Sequence, residues 1–143
     1  MDDTPPALEL ARPVRGVEVL SRQTLGACAP TFGRVELDFE PLPPGGVPRV
    51  ELACTAHPEP DPAYEAALAR GVLRELSGRG TRDPEARRGV PVRALVLVRS
   101  LRWHWTDSCE RVFDRLGALA VREALACGAE DRSPRLVVTR VRL

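Results

Sequence analysis

The chain has 143 residues, a length at which one domain buries roughly two thirds of its unfolded surface without disulfide or metal staples. Hydrophobic residues make up 43% but aromatic ones only 4%, so the core must be aliphatic, built from Val, Leu and Ala. With 21 basic and 20 acidic residues the net charge is +1, which excludes wrapping nucleic acid by bulk positive potential and leaves only local patches for that purpose.

In chain order, Met1 to Pro6 lacks both the positive region and the apolar run of a signal peptide, and nothing reaches transmembrane length, so a cytoplasmic protein without a membrane partner is expected. Residues 1–12 read as a flexible, Pro-rich start, and 13–143 as one domain. Val17 and Val19 oppose Glu18 in a first strand, Val14 to Leu20. After Gly33, Val35, Leu37 and Phe39 alternate with Arg34, Glu36, Asp38 and Glu40 in the clearest strand of the chain. The stretch Pro41-Leu42-Pro43-Pro44-Gly45-Gly46 is turn chemistry, and Val50, Leu52 and Cys54 alternate beyond it. Three antiparallel strands in succession are expected.

Asp61-Pro62 predicts a helix start, the carboxylate capping open amides and the proline suiting the first helical position. Tyr64, Leu68, Val72 and Leu76, with Ala67 and Gly71, form its apolar stripe, and Gly78 its end. Gly71, unfavourable in a helix interior, marks close approach of helix to sheet. Residues 79–89 read as a solvated loop with Arg79, Arg82, Arg87 and Arg88. The run Ala94 to Val98, within a strand from Val92 to Leu101, predicts a central strand buried on both faces. A second helix follows, with Asp107 as cap and Glu110 completing an Asp capping box; its stripe is Phe113, Leu116, Ala120, Ala124 and Cys127, closed by Gly128. Residues 136–143 end the chain as a strand in which Arg135, Arg140 and Arg142 act as edge charges. This order gives an α+β fold, two helices stacked on one face of a mixed sheet.

All 21 basic residues are arginine, whose planar fork suits phosphate and stacks on bases. Trp103, His104 and Trp105 lie together at a loop tip, where they could stack on exposed bases while Arg102 meets phosphate. The four cysteines, Cys28, Cys54, Cys109 and Cys127, show no zinc spacing and read as buried thiols. A nucleophile would have to be Cys109 or Ser108 with His104, or with the distant His57; Asp107 and Ser108 are better explained as helix caps, and no enzyme and no cofactor are expected.

The segment His104-Trp105-Thr106-Asp107-Ser108-Cys109-Glu110-Arg111-Val112-Phe113 resembles translation elongation factor G, in which a loop-tip His precedes an Asp-Ser, a Glu and a helix-borne Phe. Phe32-Gly33-Arg34-Val35 with Pro41-Leu42 is similar to that family's aromatic-Gly-His-Val strand and Pro-Leu. Pro62, Tyr64, Ala67 and Gly71-Val72, then Gly89-Val90-Pro91-Val92, follow in the family's order. The resemblance, to the factor's fourth domain, implies a ribosomal protein S5 domain 2-like fold, with a mixed four- to five-stranded sheet, two helices on one face and a left-handed βαβ crossover. It implies kinship with ribosomal-protection proteins that confer tetracycline resistance, and a domain tip that enters the ribosomal decoding region. Arg102, Trp103, His104, Trp105, Thr106 and Arg34 become the expected RNA or ribosome contacts, with the ribosome or rRNA as partner. The chain departs from the family in two ways. The first tip loop, Gly26 to Thr31, has one glycine and no positive charge, and no Gly-x-x-x-x-Gly-Lys-Ser/Thr exists, so no GTP hydrolysis is expected. The alternative role is a protein-interaction or regulatory module that kept the fold without ribosome binding.

Overall fold

The computed structural model describes residues 8–22, 31–53, 56–80 and 83–141. In chain order the elements are β1 (Leu8–Glu9), β2 (Val14–Ser21), β3 (Gly33–Glu40), β4 (Arg49–Leu52), α1 (Pro62–Ser77), β5 (Val92–Arg93), β6 (Leu95–Arg102), α2 (Glu110–Glu130) and β7 (Val137–Thr139). Five strands form one mixed sheet in the order β4-β6-β3-β2-β7, and β1 with β5 forms a separate parallel pair. The protein is thus α+β, with both helices on one face of the sheet.

Strands β2 and β3 pair antiparallel, as their alternation predicts. The third strand does not join them. Strand β4 runs parallel to β6, which is inserted between it and β3. Alternation along a strand specifies which face is buried but not which strand lies alongside. Four strands therefore point one way and β3 the other. The connection from β4 through α1 returns to its parallel neighbour β6, and the one from β6 through α2 crosses to β7 at the far edge, also parallel, so the two helix N-termini and the C-terminal ends of four strands gather at one end of the domain.

Two irregularities set the side-chain parity. The β2–β3 register shifts between Val14 and Val17, and the β3–β6 register shifts between Glu36 and Leu37. The first keeps both Val14 and Val17 in the core, with Gly16 at φ +75, a backbone state that glycine adopts readily. The second leaves Arg99 unpaired in register and turns Leu101 inward after Val96 and Val98. Asp38, between the two, holds both: its Oδ1 accepts from the Gly16 amide at 2.9 Å and its Oδ2 from Arg99 Nε at 2.7 Å. The sheet's other face is half exposed, with Leu95 and Leu97 only partly covered, so β6 is not buried on both faces as the apolar run predicts. Ala94 separates it from β5.

Helix α1 begins and ends as its sequence dictates. Asp61 Oδ1 accepts from the amides of Ala63 (2.9 Å) and Tyr64 (3.2 Å), Pro62 occupies the first turn, and Gly78 closes the helix at φ +70. Gly71 serves a helix–helix contact instead of the expected helix–sheet one. A Cβ there would lie 1.9 Å from the Asp114 carbonyl oxygen of α2, and one at Gly117 would lie 2.5 Å from the Leu68 carbonyl oxygen of α1. Each glycine thus receives the other helix's backbone. Below this crossing, Ala67, Leu68 and Val72 of α1 and Phe113, Leu116 and Ala120 of α2 are buried against Val35, Leu37 and Phe39.

Helix α2 departs from the sequence reading at both ends. Its N-cap is Cys109, whose side chain makes no capping hydrogen bond to the first turn, while Asp107 turns toward His104. It continues past Gly128 to Glu130, and Asp131 takes the left-handed conformation at φ 52. The chain then folds back under a clamp: Glu123 receives Arg132 through Oε2 (2.7 Å) and Oε1 (3.0 Å), and the Arg135 amide at 2.9 Å. These bonds, with Arg132 the largest influence, hold the Glu123 carboxyl down to about 2. Strand β7 is short, lies parallel to β2 at the sheet edge, and is followed by Val141, which is buried. Arg135 and Arg140 flank this strand, and Arg142 and Leu143 lie outside the described residues.

Other expectations change with the long-range contacts. Leu8 and Glu9, within the start expected to be flexible, pair with Val92 and Arg93, and Leu8 donates to the Pro91 carbonyl at 2.8 Å. Arg87 is not solvated: its Nη1 donates to the carbonyls of Glu75 (3.4 Å) and Leu76 (3.3 Å), satisfying the last turn of α1. Arg82 lies outside the described residues. Cys127 is buried, as expected for a structural thiol, and Cys109 is partly so; Cys28 and Cys54 fall outside the described residues.

Candidate functional site

The end of the domain where the helices begin carries the residues that the sequence singles out. Strand β6 delivers Arg102, and the chain leaves the sheet through Trp103, His104, Trp105 and Thr106 before entering α2. The segment after β4 continues alongside the end of β6: His57 donates its amide to the Leu101 carbonyl at 2.9 Å and accepts from the Trp103 amide at 3.0 Å. A cleft of about 410 Å³ opens between these pieces, lined by Phe32, His57, Pro58, Arg102, Trp103, His104 and Trp105.

The two tryptophans take different roles. Trp103 is 8% exposed, donates its indole N–H to the Glu59 carbonyl at 2.7 Å, and meets Tyr64 edge-on at 5.5 Å. Trp105 is 66% exposed and rests edge-on against Trp103 at 4.6 Å. An anchored ring therefore supports a displayed one. A large exposed indole presents apolar area with few rotatable bonds.

The loop behind the rings is tied by hydrogen bonds that start from Ser108. Its hydroxyl accepts from the His104 amide at 2.8 Å and donates to the Phe32 carbonyl at 2.8 Å, while its own carbonyl accepts from the Tyr64 hydroxyl at 3.0 Å. Burial, with the Asp61 carboxylate adding to it, raises the Tyr64 phenol above its ordinary value, which keeps that donor protonated. Ser108 thus braces the loop and does not cap α2. His104 is exposed, with Nδ1 3.0 Å from Asp107 Oδ2 and 3.3 Å from Thr106 Oγ1. The Asp-Ser pair expected to cap α2 instead orders the tip that precedes it.

No family model matches this chain, and no curated protein does. Among solved structures, the chain is similar to a crystal structure of a protein from Thermus thermophilus, at 20% identity and a TM-score of 0.46. That match covers 76% of this chain and 16% of the other, so this chain spans about a sixth of that protein's length.

The six residues expected to contact RNA are brought together unequally. Arg102, Trp103, His104 and Trp105 line the cleft, and Thr106 braces His104 beside it. Arg34 stands opposite Arg102 across the β3–β6 ladder but outside the cleft, where Glu18 Oε2 holds its Nη2 at 2.6 Å. Arg102 makes no ion pair among the described residues. Phe32, His57 and Pro58 were not among the expected contacts. Nothing local marks them, because they reach the cleft only through pairing with β6 and α2. Of the first tip loop, residues 26–30 lie outside the described residues; Thr31 is buried, and its carbonyl accepts from the Ser21 hydroxyl. Among the described residues no helix is long and apolar enough to cross a membrane.

Proposed function

We propose that this protein is a stand-alone module of the elongation factor G domain IV type, which binds the ribosome or other RNA through the 102–106 tip and has no GTPase activity of its own. The observation that carries the reading is the exposed Trp105 ring braced on the buried Trp103 beside Arg102, which has no ion-pair partner among the described residues. A splayed-out base stacks on such a ring, an interaction of about 1–3 kcal/mol per base, and a guanidinium meets the adjoining phosphate. His57, His104 and Phe32 offer further flat surfaces in the same cleft. The near-neutral net charge fits local recognition of unpaired bases better than tracking along a duplex.

Cosedimentation with ribosomes over a series of salt concentrations tests this. A single strand contacted by Arg102 alone loses affinity with a log–log slope of about −0.7. Trp105→Ala and His104→Ala should weaken association while leaving the thermal midpoint nearly unchanged, since both side chains are exposed. Equal pelleting of parent and variants would defeat the proposal. Association that ignores salt but depends on Trp105 would instead favour a protein partner docking on the same ring.

A further inference from the structure

A second concavity, of about 430 Å³, runs along α2 away from the tryptophan cleft and is lined by five arginines: Arg74, Arg111, Arg115, Arg122 and Arg140. Three carboxylates share it, Glu75, Asp83 and Asp114. These acids are committed. Arg122 Nε donates to the buried Glu75 Oε1 at 2.7 Å and its Nη2 to Asp83 Oδ2 at 3.1 Å; Arg115 also holds Asp83; Arg74 Nη1 donates to Asp114 Oδ2 at 3.1 Å. The Asp83 carboxyl is lowered to about 2, first by the Glu85 amide and then by Arg122 and Arg115, so it remains a fixed anion that orients both guanidinium groups. Arg111 and Arg140 have no acidic partner among the described residues, and both are exposed. A fourth carboxylate, Glu85, reaches Arg115 Nη2 at 3.5 Å and Arg122 Nη1 at 3.8 Å from beside the groove, so five arginines face four acids and the positive excess lies at the exposed Arg111 and Arg140.

We infer that this groove is a binding site for a multiply charged phosphate group, held at the rim by Arg111 and Arg140 over a floor of pre-oriented Arg115 and Arg122. A guanidinium has five donors, and Arg115 and Arg122 do not use all of theirs on the acids. Arginine forks recognise phosphate oxygens in pairs, and an immobilised fork binds with less loss of side-chain freedom. The phosphates could belong to an RNA chain or to a free polyphosphate, and the shared chemistry is the same. This site stands apart from Trp105 and does not depend on the proposed base stacking.

Calorimetric titration and thermal shift with inorganic tripolyphosphate, in chloride matched for ionic strength, provide the test. The parent should bind, with a rise in the thermal midpoint of about 3–5 °C at ten times the dissociation constant. R111Q/R140Q should bind at least tenfold more weakly, R111K/R140K should recover part of that loss, and W105A should bind as the parent does. A decauridylate arm identifies the source. If R111Q/R140Q also weakens decauridylate, the groove takes an RNA backbone; if only tripolyphosphate is affected, it takes a free polyphosphate. Tripolyphosphate that fails to bind the parent at millimolar concentration, or binds R111Q/R140Q equally, overturns the inference. Loss of RNA binding in W105A with tripolyphosphate binding intact would separate the two sites.

Discussion

Replacing Gly71 by alanine should destabilise the protein, although alanine is the better helix former. A Cβ at this position would lie 1.9 Å from the Asp114 carbonyl oxygen, where real Cβ contacts essentially never fall under 3.0 Å, so the two helices must part by at least about 1.1 Å. The obstacle is backbone and cannot rotate away. A gap of that size forfeits a quarter to a half of the dispersion energy of the atoms that face it, and overpacking a filled core typically costs about 1–3 kcal/mol. Against this stands a gain of about 1 kcal/mol from helix propensity. Because both helices share the strain along a rigid seam, a net loss near the upper end, about 2 kcal/mol, is expected, or a fall in thermal midpoint of roughly 6–8 °C. Gly117→Ala, with 2.5 Å to the Leu68 carbonyl, should lose somewhat less. The double substitution should fall short of the sum, because helices already parted by one methyl accept the second. Gly128→Ala supplies the control, since its Cβ meets nothing within 4 Å and the residue is exposed on α2; it should be neutral or stabilising by up to about 1 kcal/mol. Urea unfolding of the four variants measures all of this, and a Gly71→Ala protein as stable as the parent would refute the close-crossing argument.

Other consequences are open to measurement. Glu123 has a folded-state value of about 2 against an ordinary 4.5, so its contribution is fully present above pH 4.5 and is lost as the pH falls toward 2. Allowing for solvent screening at the helix surface, the loss is about 2 kcal/mol; Glu123→Gln should lower stability at neutral pH and flatten the acid limb, as read from denaturant midpoints between pH 7 and 2.5. Asp38→Ala removes one acceptor from two strands, and should cost about 2 kcal/mol in equilibrium unfolding while loosening the amide of Gly16 in hydrogen exchange. Ser108→Ala breaks both hydroxyl contacts of the tip, so it should weaken RNA association and lower stability by about 1–2 kcal/mol together, in contrast to Trp105→Ala.

Local chemistry made much of the fold legible. The alternation of Val35, Leu37 and Phe39, the Asp61-Pro62 start and the Gly78 stop each depend on residues a few positions apart, and the structure has them as read. Partner choice is not local. That β4 would lie beside β6, that Gly71 would receive α2, and that Glu75 would sit buried against Arg122 depend on elements roughly 45 residues distant. Bulges are equally silent, because an extra residue such as Arg99 looks like an ordinary polar position until its neighbours count past it. The cleft was half legible for the same reason. Trp103 to Thr106 are consecutive and conspicuous, whereas His57 arrives by pairing. Asp107 and Ser108 have the residue types of a cap, and only the observed bonds to His104 and Phe32 assign them to the loop.

The brace around Ser108 bears on time as well as on place. Trp103, His104 and Ser108 are tied to Glu59, Phe32 and Tyr64 before any ligand arrives, so encounter with the cleft requires no ordering step. Association would then be governed by diffusion and by the charge of Arg102, and residence by the contact area of Trp105. A rapid-mixing experiment would accordingly find the two substitutions on opposite sides of the equilibrium: Arg102→Gln slowing arrival, Trp105→Ala hastening departure.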